Sequence, residues 1–429
     1  MNAVHINLLT GWFPIVVQVV AGSALLAALA WRPRRWIALW GSGSLAVGTI
    51  GAIAIYSYFS TNDMSPDTAP SGFWIWIAVA IAAPVLLLAG VRSRRVTDHL
   101  AAVITIPLAL LCVAVSANLW TGYYPTAYRA WQGLTDGPLP NQISATELPA
   151  QRGVPTPVGK IVALRVPHAF SGFHARTEFA YLPPAWFRGP IPPQLPVVVM
   201  LGGVINTPDD WVRSGNAAHT VDRYARTHGG RAPILVLADP SGSMNNDTEC
   251  VNSARGNVET HILDEVRPAV IAQFGTATAA RDWALAGWSM GGTCAVTMAT
   301  RHPEAFGSFI DISGDIAPNL GDTKKTIAGL FHGDVGAWES FDPSIVMQRH
   351  GRYDDLAGWL QSEGHRGRRG HLHSSQITAA RHLSEIARAQ GVEVVERDLP
   401  GAHTWEFAGR AFADALPWLM SRLDVPHAV

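Results

Sequence analysis

The sequence predicts a mostly parallel α/β sheet with helices on both faces, preceded by a four-helix transmembrane region. Three observations lead to this fold class. Residues 1–120 contain four long apolar stretches and few acidic residues, the remainder has ordinary globular polarity, and short β-rich runs alternate with helical patterns from residue 159 onward. The 429 residues therefore divide into a transmembrane region at 1–120, a linker at 121–158 and a globular domain at 159–429.

The four apolar stretches are each long enough for a membrane-spanning helix, which needs about 20 residues. They are Leu8–Trp31, Trp36–Ser60, Gly72–Val91 and His99–Trp120. A cleaved signal peptide has one short apolar segment behind a charged front, so it does not explain four repeats. Because no span carries an acidic residue or lysine in its middle, the region is interpreted as an anchor rather than a transporter.

Basic residues indicate how these spans are oriented. They cluster after the first and third spans, as Arg32, Arg34, Arg35 and as Arg92, Arg94, Arg95. By the positive-inside rule both loops are cytoplasmic, which places everything after Trp120 outside. We therefore expect a multi-pass protein of the cell membrane with an extracytoplasmic C-terminal domain. The net charge of −1, without a basic stripe, argues against nucleic acid as a partner.

Within the globular domain, β-rich runs bounded by Pro or Gly alternate with helical patterns. The predicted strands are Lys160–Val166, Arg176–Leu182, Pro196–Leu201, Pro233–Leu237, Asp282–Ala286, Phe306–Ile312, Ala357–Gln361 and Val392–Arg397. The predicted helices include Val258–Phe274, Gly292–Arg301, Ile377–Ala389 and Phe407–Leu423. This order gives repeating strand and helix units, as parallel sheets require.

The segment Gly-Trp-Ser-Met-Gly at residues 287–291 joins a predicted strand to a predicted helix. This is the pattern of a nucleophile elbow, a strained turn that exposes a serine at the edge of an α/β-hydrolase sheet. Ser289 is therefore the candidate nucleophile. A serine hydroxyl needs a base, and His403, in the turn after the last predicted strand, is the candidate for general base and then acid.

The carboxylate that would orient this histidine has two candidates. Glu363 is the first choice because it follows the strand Ala357–Gln361, and Asp315 after the preceding strand is the alternative. The loop around Glu363 also holds His365, His371 and His373. Their irregular spacing favours a solvated loop over a metal site, so neither a metal nor a cofactor is expected.

Backbone amides should complete the site as oxyanion donors. Met290, the residue after the nucleophile, supplies one amide, and Gly203 or Val204 in the loop after the third strand supplies the other. Outside the spans the chain has two cysteines, Cys250 and Cys294. In an extracytoplasmic domain they are expected to form a disulfide if they meet, the alternative being two buried free thiols.

Four motifs together resemble a known family. They are Gly287–Gly292, Gly202-Gly203 followed by Asp209-Asp210-Trp211, Glu249-Cys250 leading to Glu259-Thr260, and His403-Thr404-Trp405-Glu406. Over about Gly159–Leu423 the chain is similar to the esterase D group that includes the antigen 85 mycolyltransferases. The resemblance implies an α/β-hydrolase fold, a triad of Ser289, His403 and a carboxylate, and Val204 rather than Gly203 as the second oxyanion donor. It also implies acyl-ester chemistry in a bacterial envelope.

The sequence thus predicts a membrane-anchored serine esterase or acyltransferase that acts on acyl esters of envelope lipids or glycans. The alternative is a non-catalytic envelope scaffold or binding protein that retains a degenerate hydrolase fold. Hydrolysis and transfer use the same catalytic residues, so the sequence does not separate them. It also leaves the oligomeric state undetermined.

Overall fold

The computed structural model describes residues 6–30, 32–61, 69–90, 96–135, 137–167, 169–367 and 370–423. The chain divides into two compact units, Met1–Gly137 and Pro138–Val429. Some residues of the predicted spans and basic clusters lie outside the described residues, namely Trp31, Val91, Arg92, Arg94 and Arg95.

The first unit is helical. Its helices are α1 (Trp12–Ala30), α2 (Arg34–Trp36), α3 (Ser42–Thr61), α4 (Ser71–Gly90), α5 (Val96–Thr121) and α6 (Ala127–Leu134), with a π-helical segment Ile37–Gly41 joining α2 to α3. Four helical stretches are long and apolar enough to cross a membrane, Trp12–Ala30, Arg34–Thr61, Ser71–Gly90 and Val103–Thr121. Helix α6 lies within the stretch 121–158 that was predicted to be a linker.

Small residues let α3 and α4 pack closely. Ser44, Gly48 and Ala52 follow one another at four-residue spacing and are the buried residues of α3. A Cβ on Gly48 would overlap the carbonyl oxygen of Ala78 on α4. Close backbone approach through small residues is a common way for helices to associate in a membrane, where water provides no hydrophobic driving force.

The second unit contains the sheet. Its strands are β1 (Lys160–Ala163), β2 (Phe179–Leu182), β3 (Val197–Leu201), β4 (Ile234–Ala238), β5 (Asn252–Ser253), β6 (Gly256–Asn257), β7 (Trp283–Trp288), β8 (Ser308–Ile312), β9 (Ala357–Arg366), β10 (Leu372–His373) and β11 (Glu393–Pro400). Strands β3, β4 and β7 are buried at every position, which explains why they are continuous apolar runs without alternation.

The remaining helices of this unit flank the sheet or cap its loops. They are α7 (Asp210–Arg213), α8 (Ala217–Thr227), α9 (Val258–Thr260), α10 (Arg267–Phe274), α11 (Met290–Arg301), α12 (Thr323–Phe331), α13 (Val335–Glu339), α14 (Pro343–His350), α15 (Ser375–Ala389) and α16 (Trp405–Arg422), with a π-helical segment His261–Val266 between α9 and α10.

Nine of the described strands form one mixed sheet in the order β1-β2-β4-β3-β7-β8-β9-β10, with β11 also pairing β9, and β5 and β6 form a separate two-stranded sheet. Strands β4, β3, β7, β8, β9 and β11 are linked by parallel pairings, and β1, β2 and β10 join antiparallel. The predicted fold class is thereby confirmed. The loops that follow β3, β7, β8 and β11 therefore leave the same edge of the sheet, where ligand sites of α/β folds usually form.

The prediction for one strand was wrong in its length. The strand was predicted to end at Gln361, with Glu363 and His365 in a solvated loop, but β9 continues to Arg366. The polar end of β9 stays in the sheet, because Glu363 pairs with Leu399 of β11 and His365 pairs with His373 of β10. The histidine-rich segment is therefore partly a β-hairpin.

Candidate active site

Ser289 occupies a strained position between β7 and α11. Its backbone has φ 59° and ψ −126°, in the left-handed half of conformational space that a residue with a Cβ rarely adopts. A Cβ on Gly287 would overlap the carbonyl oxygen of Gly291, and a Cβ on Gly291 would overlap that of Leu201. The two glycines of the motif are therefore required for this turn to close against the neighbouring strand.

His403 and Glu363 are brought together from two strand ends. Nδ1 of His403 lies 2.8 Å from Oε1 of Glu363, within hydrogen-bonding distance. Glu363 is buried at 6% side-chain exposure, whereas the His403 side chain is 40% exposed. A buried carboxylate thus holds one nitrogen of the imidazole, while the ring stays partly exposed.

Glu363 also accepts a short hydrogen bond from the hydroxyl of Ser313. Ser313 follows β8, has φ 54°, and donates its amide to the carbonyl of Gln361. Burial alone would raise the pKa of Glu363, but the hydrogen bond and charge of His403 and the hydrogen bond of Ser313 lower that pKa below its ordinary value. The carboxylate is therefore ionised at neutral pH.

The His403 ring stacks on the indole of Trp288, the residue immediately before Ser289. The ring centroids are 5.0 Å apart and the planes are inclined by 29°. Trp288 also contacts Trp405, which in turn packs edge-on against Trp211. This aromatic group positions the histidine beside the elbow.

Asp315, the alternative acid, belongs to a different group of side chains. Its Oδ2 accepts from the side-chain amide of Asn319 at 3.0 Å, and its own amide donates to Thr293 Oγ1 at 2.8 Å. Its charge contributes to raising the pKa values of Asp247 and Glu249. Of the two predicted acids, the structure pairs only Glu363 with His403.

The loop after β3 is arranged around Asn206. The Gly203 amide donates to Asn206 Oδ1 at 2.8 Å, and a Cβ placed on Gly203 would lie 3.3 Å from the Cβ of Ser289. Among the described residues, the Val204 amide takes part in none of the loop and turn hydrogen bonds. Gly203 therefore has its amide occupied, while the amides of Val204 and of Met290, the first residue of α11, remain for a ligand.

A disulfide joins Cys250 to Cys294 of α11, with the Cα atoms 5.5 Å apart. It connects the loop that follows β4 to the helix that begins at the nucleophile. In the described part of the chain, no group of three His, Cys, Asp or Glu side chains is arranged to hold a metal ion.

Two residues around this site were not identified from the sequence, Ser313 and Asn206. Ser313 contacts Glu363, which lies far along the chain. Asn206 contacts Gly203 in a local turn whose shape the composition does not reveal. Ser313 precedes Gly314 at the end of a buried strand, which is the one sequence signal that could have drawn attention to it.

The chain is similar to several known proteins. A curated protein of Corynebacterium glutamicum, described as uncharacterized, is 31% identical over 422 residues, which cover 95% of each chain. An S-formylglutathione hydrolase from Agrobacterium tumefaciens superposes with a TM-score of 0.50 at 17% identity, covering 62% of this chain and 97% of its own. MPT51 of Mycobacterium tuberculosis has a TM-score of 0.43 at 20% identity and covers 61% of this chain and 97% of its own.

The Esterase family model matches residues 174–419, most of the second unit. The family resemblance stated from the motifs is confirmed by this match. The chain therefore belongs to the esterase family and is a carboxylic ester hydrolase.

Proposed function

We propose that this protein is a membrane-anchored serine esterase whose catalytic domain acts outside the cytoplasm on acyl esters of envelope lipids or glycans. Ser289 is the nucleophile, His403 the general base and acid, and Glu363 the triad acid. The amides of Met290 and Val204 form the oxyanion hole. The 2.8 Å contact of His403 Nδ1 with Glu363, on a ring stacked against the residue before Ser289, carries this assignment.

The reaction follows from these roles. His403 Nε2 takes the proton of Ser289 Oγ while that oxygen forms a bond to the ester carbonyl carbon, and the carbonyl oxygen becomes an oxyanion held by the two amides. The tetrahedral intermediate expels the alcohol, which receives the proton from His403. Water then attacks the acyl-serine with His403 as base, releasing the carboxylic acid and free Ser289. An alcohol in place of that water would make the same site an acyltransferase.

Glu363 supports both halves of this cycle. As an ionised carboxylate it holds His403 in the tautomer that presents Nε2 as a proton acceptor. It then stabilises the imidazolium formed when the serine proton arrives. Ser313 holds the second oxygen of the carboxylate in place, so the carboxylate cannot rotate away from the ring.

The membrane part of the proposal depends on the first unit. Four stretches of suitable length and hydropathy precede the catalytic unit, and arginines follow the first of them. With the arginine-bearing turn on the cytoplasmic side, an even number of spans places both the N-terminus and the catalytic unit outside.

Labelling with a fluorophosphonate probe tests the chemistry directly. The purified full chain should form a covalent adduct that peptide mass mapping assigns to Ser289, and Ser289→Ala should remove it. Ser344→Ala, a substitution at a serine on α14, provides the matched control and should label like the wild type. Failure of the folded wild type to label, or labelling that persists in Ser289→Ala, would overturn the proposed nucleophile.

A further inference from the structure

The first unit contains a large groove between helices α1, α3 and α4. Its volume is about 820 Å³, and the residues lining it include Leu25, Leu29, Ile37, Leu45, Ile75 and Leu86. Small-molecule sites in proteins have volumes of about 300–1,000 Å³, so the groove is large enough for a ligand of lipid size.

Most of the residues that line this groove have hydrocarbon side chains. Two of its lining residues are serines, but the Ser44 hydroxyl donates to the carbonyl of Trp40 at 2.6 Å, and the Ser42 hydroxyl donates to Ala38 and Leu39 of its own helix. Their polar groups are satisfied within the helix. What remains for an occupant is an apolar surface, suited to an acyl chain.

The turn beside one end of the groove is basic. Leu29 of α1 and Ile37 of the π-helical segment line the groove. The turn between them carries Arg32, Arg34 and Arg35. The side chains of Arg34 and Arg35 are exposed. The sequence from Trp12 to Thr61 contains no Asp or Glu, so no acidic neighbour within these two spans neutralises the arginines.

Aromatic residues mark this end as a membrane interface. Trp36 and Trp40 lie within two helical turns of the arginines, Trp40 is 43% exposed, and the guanidinium carbon of Arg32 lies 4.6 Å from the Trp36 ring centroid. Tryptophan is enriched where a helix passes from hydrocarbon to headgroups, and basic residues there attract anionic headgroups.

We infer that this groove is a binding site for one anionic phospholipid, with an acyl chain between α1, α3 and α4 and its phosphate on Arg34 and Arg35. The apolar floor selects a hydrocarbon chain, and the basic turn selects a negatively charged headgroup. The inference rests on the proposed membrane location of the first unit and does not depend on the proposed ester chemistry. Nothing in the catalytic roles of Ser289 or His403 requires it.

Native mass spectrometry of the full chain tests the site. The protein is reconstituted into nanodiscs that contain equal amounts of phosphatidylglycerol and phosphatidylcholine with identical acyl chains, and lipid retained after release is measured. We expect one retained phosphatidylglycerol per chain, favoured about tenfold over phosphatidylcholine, since each arginine near a membrane surface favours an anionic lipid. The double variant Arg34→Gln/Arg35→Gln should retain the two lipids equally.

Two further variants separate the groove from its basic end. Arg129→Gln on α6 removes an arginine of the same unit and should keep the wild-type preference. Thr49→Phe places a ring in the groove and should reduce retention of both lipids. Equal retention of the two lipids by the wild type, or an unchanged preference in the arginine double variant, would contradict the site.

The same measurement distinguishes this inference from its alternatives. A lipid-free dimer would show that a second copy of the chain covers the groove and would overturn the proposal. Ser289→Ala should retain phosphatidylglycerol as the wild type does, even though it no longer reacts with fluorophosphonate. Loss of probe labelling therefore tests the proposed nucleophile, and loss of the retained lipid tests the proposed lipid site.

Discussion

Glu363 serves two partners from one buried carboxylate. One oxygen contacts His403 and the other accepts from Ser313, so the side chain is fixed at both oxygens before substrate arrives. Its lowered pKa shows that these partners outweigh the cost of burying the charge. At the scale of single residues, the site thus depends on an ionised group that the surrounding protein holds rigid.

Replacing Glu363 by Gln should reduce kcat for a short-chain ester by about 10²- to 10⁴-fold, because the amide keeps the shape but cannot balance the charge of the imidazolium. KM should change little. The matched substitution Asp315→Asn removes a carboxylate that contacts Asn319 instead of His403, and should leave kcat within about twofold. If Asp315→Asn were the damaging substitution and Glu363→Gln the mild one, the acid assignment would be reversed.

Asn206 is expected to position the oxyanion loop without touching the reacting atoms. Its side-chain oxygen holds the Gly203 amide, and its own carbonyl accepts from Arg176 Nη2 at 2.8 Å. Arg176 is in turn paired with the buried Asp239. Asn206 is therefore anchored on the side away from the nucleophile, which keeps the Val204 amide in one place.

Asn206→Ala should lower kcat by about tenfold or more with little change in KM, since a donor that stabilises only the transition state is displaced. Asn252→Ala is the control, because Asn252 Oδ1 also accepts a backbone amide, from Thr260 at 3.1 Å. Steady-state kinetics on a soluble ester distinguish the two. A rise in KM at constant kcat, or equal effects of both variants, would argue against a positioning role.

At the scale of elements, the loop after β4 contains two neighbouring carboxyl groups, the buried Glu249 and the half-buried Asp247. Burial is the main cause that raises the pKa of Asp247 to about 6, and the charge of Asp315 raises it further against the opposing effect of Arg255. Burial also raises the pKa of Glu249, assisted by the charges of Asp247 and Asp315. The folded protein therefore holds protons here that an unfolded chain would release.

A raised pKa in the folded state gives stability that is present at low pH and lost as the pH rises through about 6. We expect the melting temperature of the full chain in detergent to fall between about pH 5 and pH 7.5. Glu249→Gln should reduce this fall and raise the melting temperature at the higher pH, whereas Asp264→Asn, at an exposed carboxylate, should not. Scanning calorimetry measures both. A Glu249→Gln profile parallel to the wild type would exclude the pair as the source.

Elements differ in how well the sequence predicts them. The buried strands β3, β4 and β7 were predicted within one or two residues because their apolar runs are bounded by Pro, Gly or polar residues. The end of β9 was missed because its residues are polar and basic, and pairing with β10 and β11 determines its length. Local composition cannot contain that information.

The same distinction applies to the site. Ser289 could be identified because glycines lie two residues on either side of it, a pattern that the local sequence shows. The choice between Glu363 and Asp315 could not be made from the sequence, because it depends on which strand end lies nearest His403. Ser313 was missed because its partner Glu363 lies far along the chain, and Asn206 was missed because its contact with Gly203 depends on the shape of the loop.

At the scale of the whole molecule, the arginine-bearing turn after α1 determines the expected orientation. A cysteine introduced at exposed Ser144 of the second unit, in a Cys112→Ser background, should react with a membrane-impermeant maleimide in intact cells. A cysteine at exposed Pro33 should react only after the membrane is permeabilised. Labelling in the reverse pattern would invert the proposed topology and place the catalytic unit in the cytoplasm.

The disulfide between Cys250 and Cys294 links the stability of the active site to the redox state of its compartment. Its bond closes a loop over a sequence separation of 44 residues and fastens it to the helix that begins at Ser289. A cytoplasm is reducing, so a chain still on that side of the membrane would lack this brace. With the proposed extracytoplasmic location, export would act as a maturation step, in which oxidation secures the active-site helix only after the second unit has crossed the membrane.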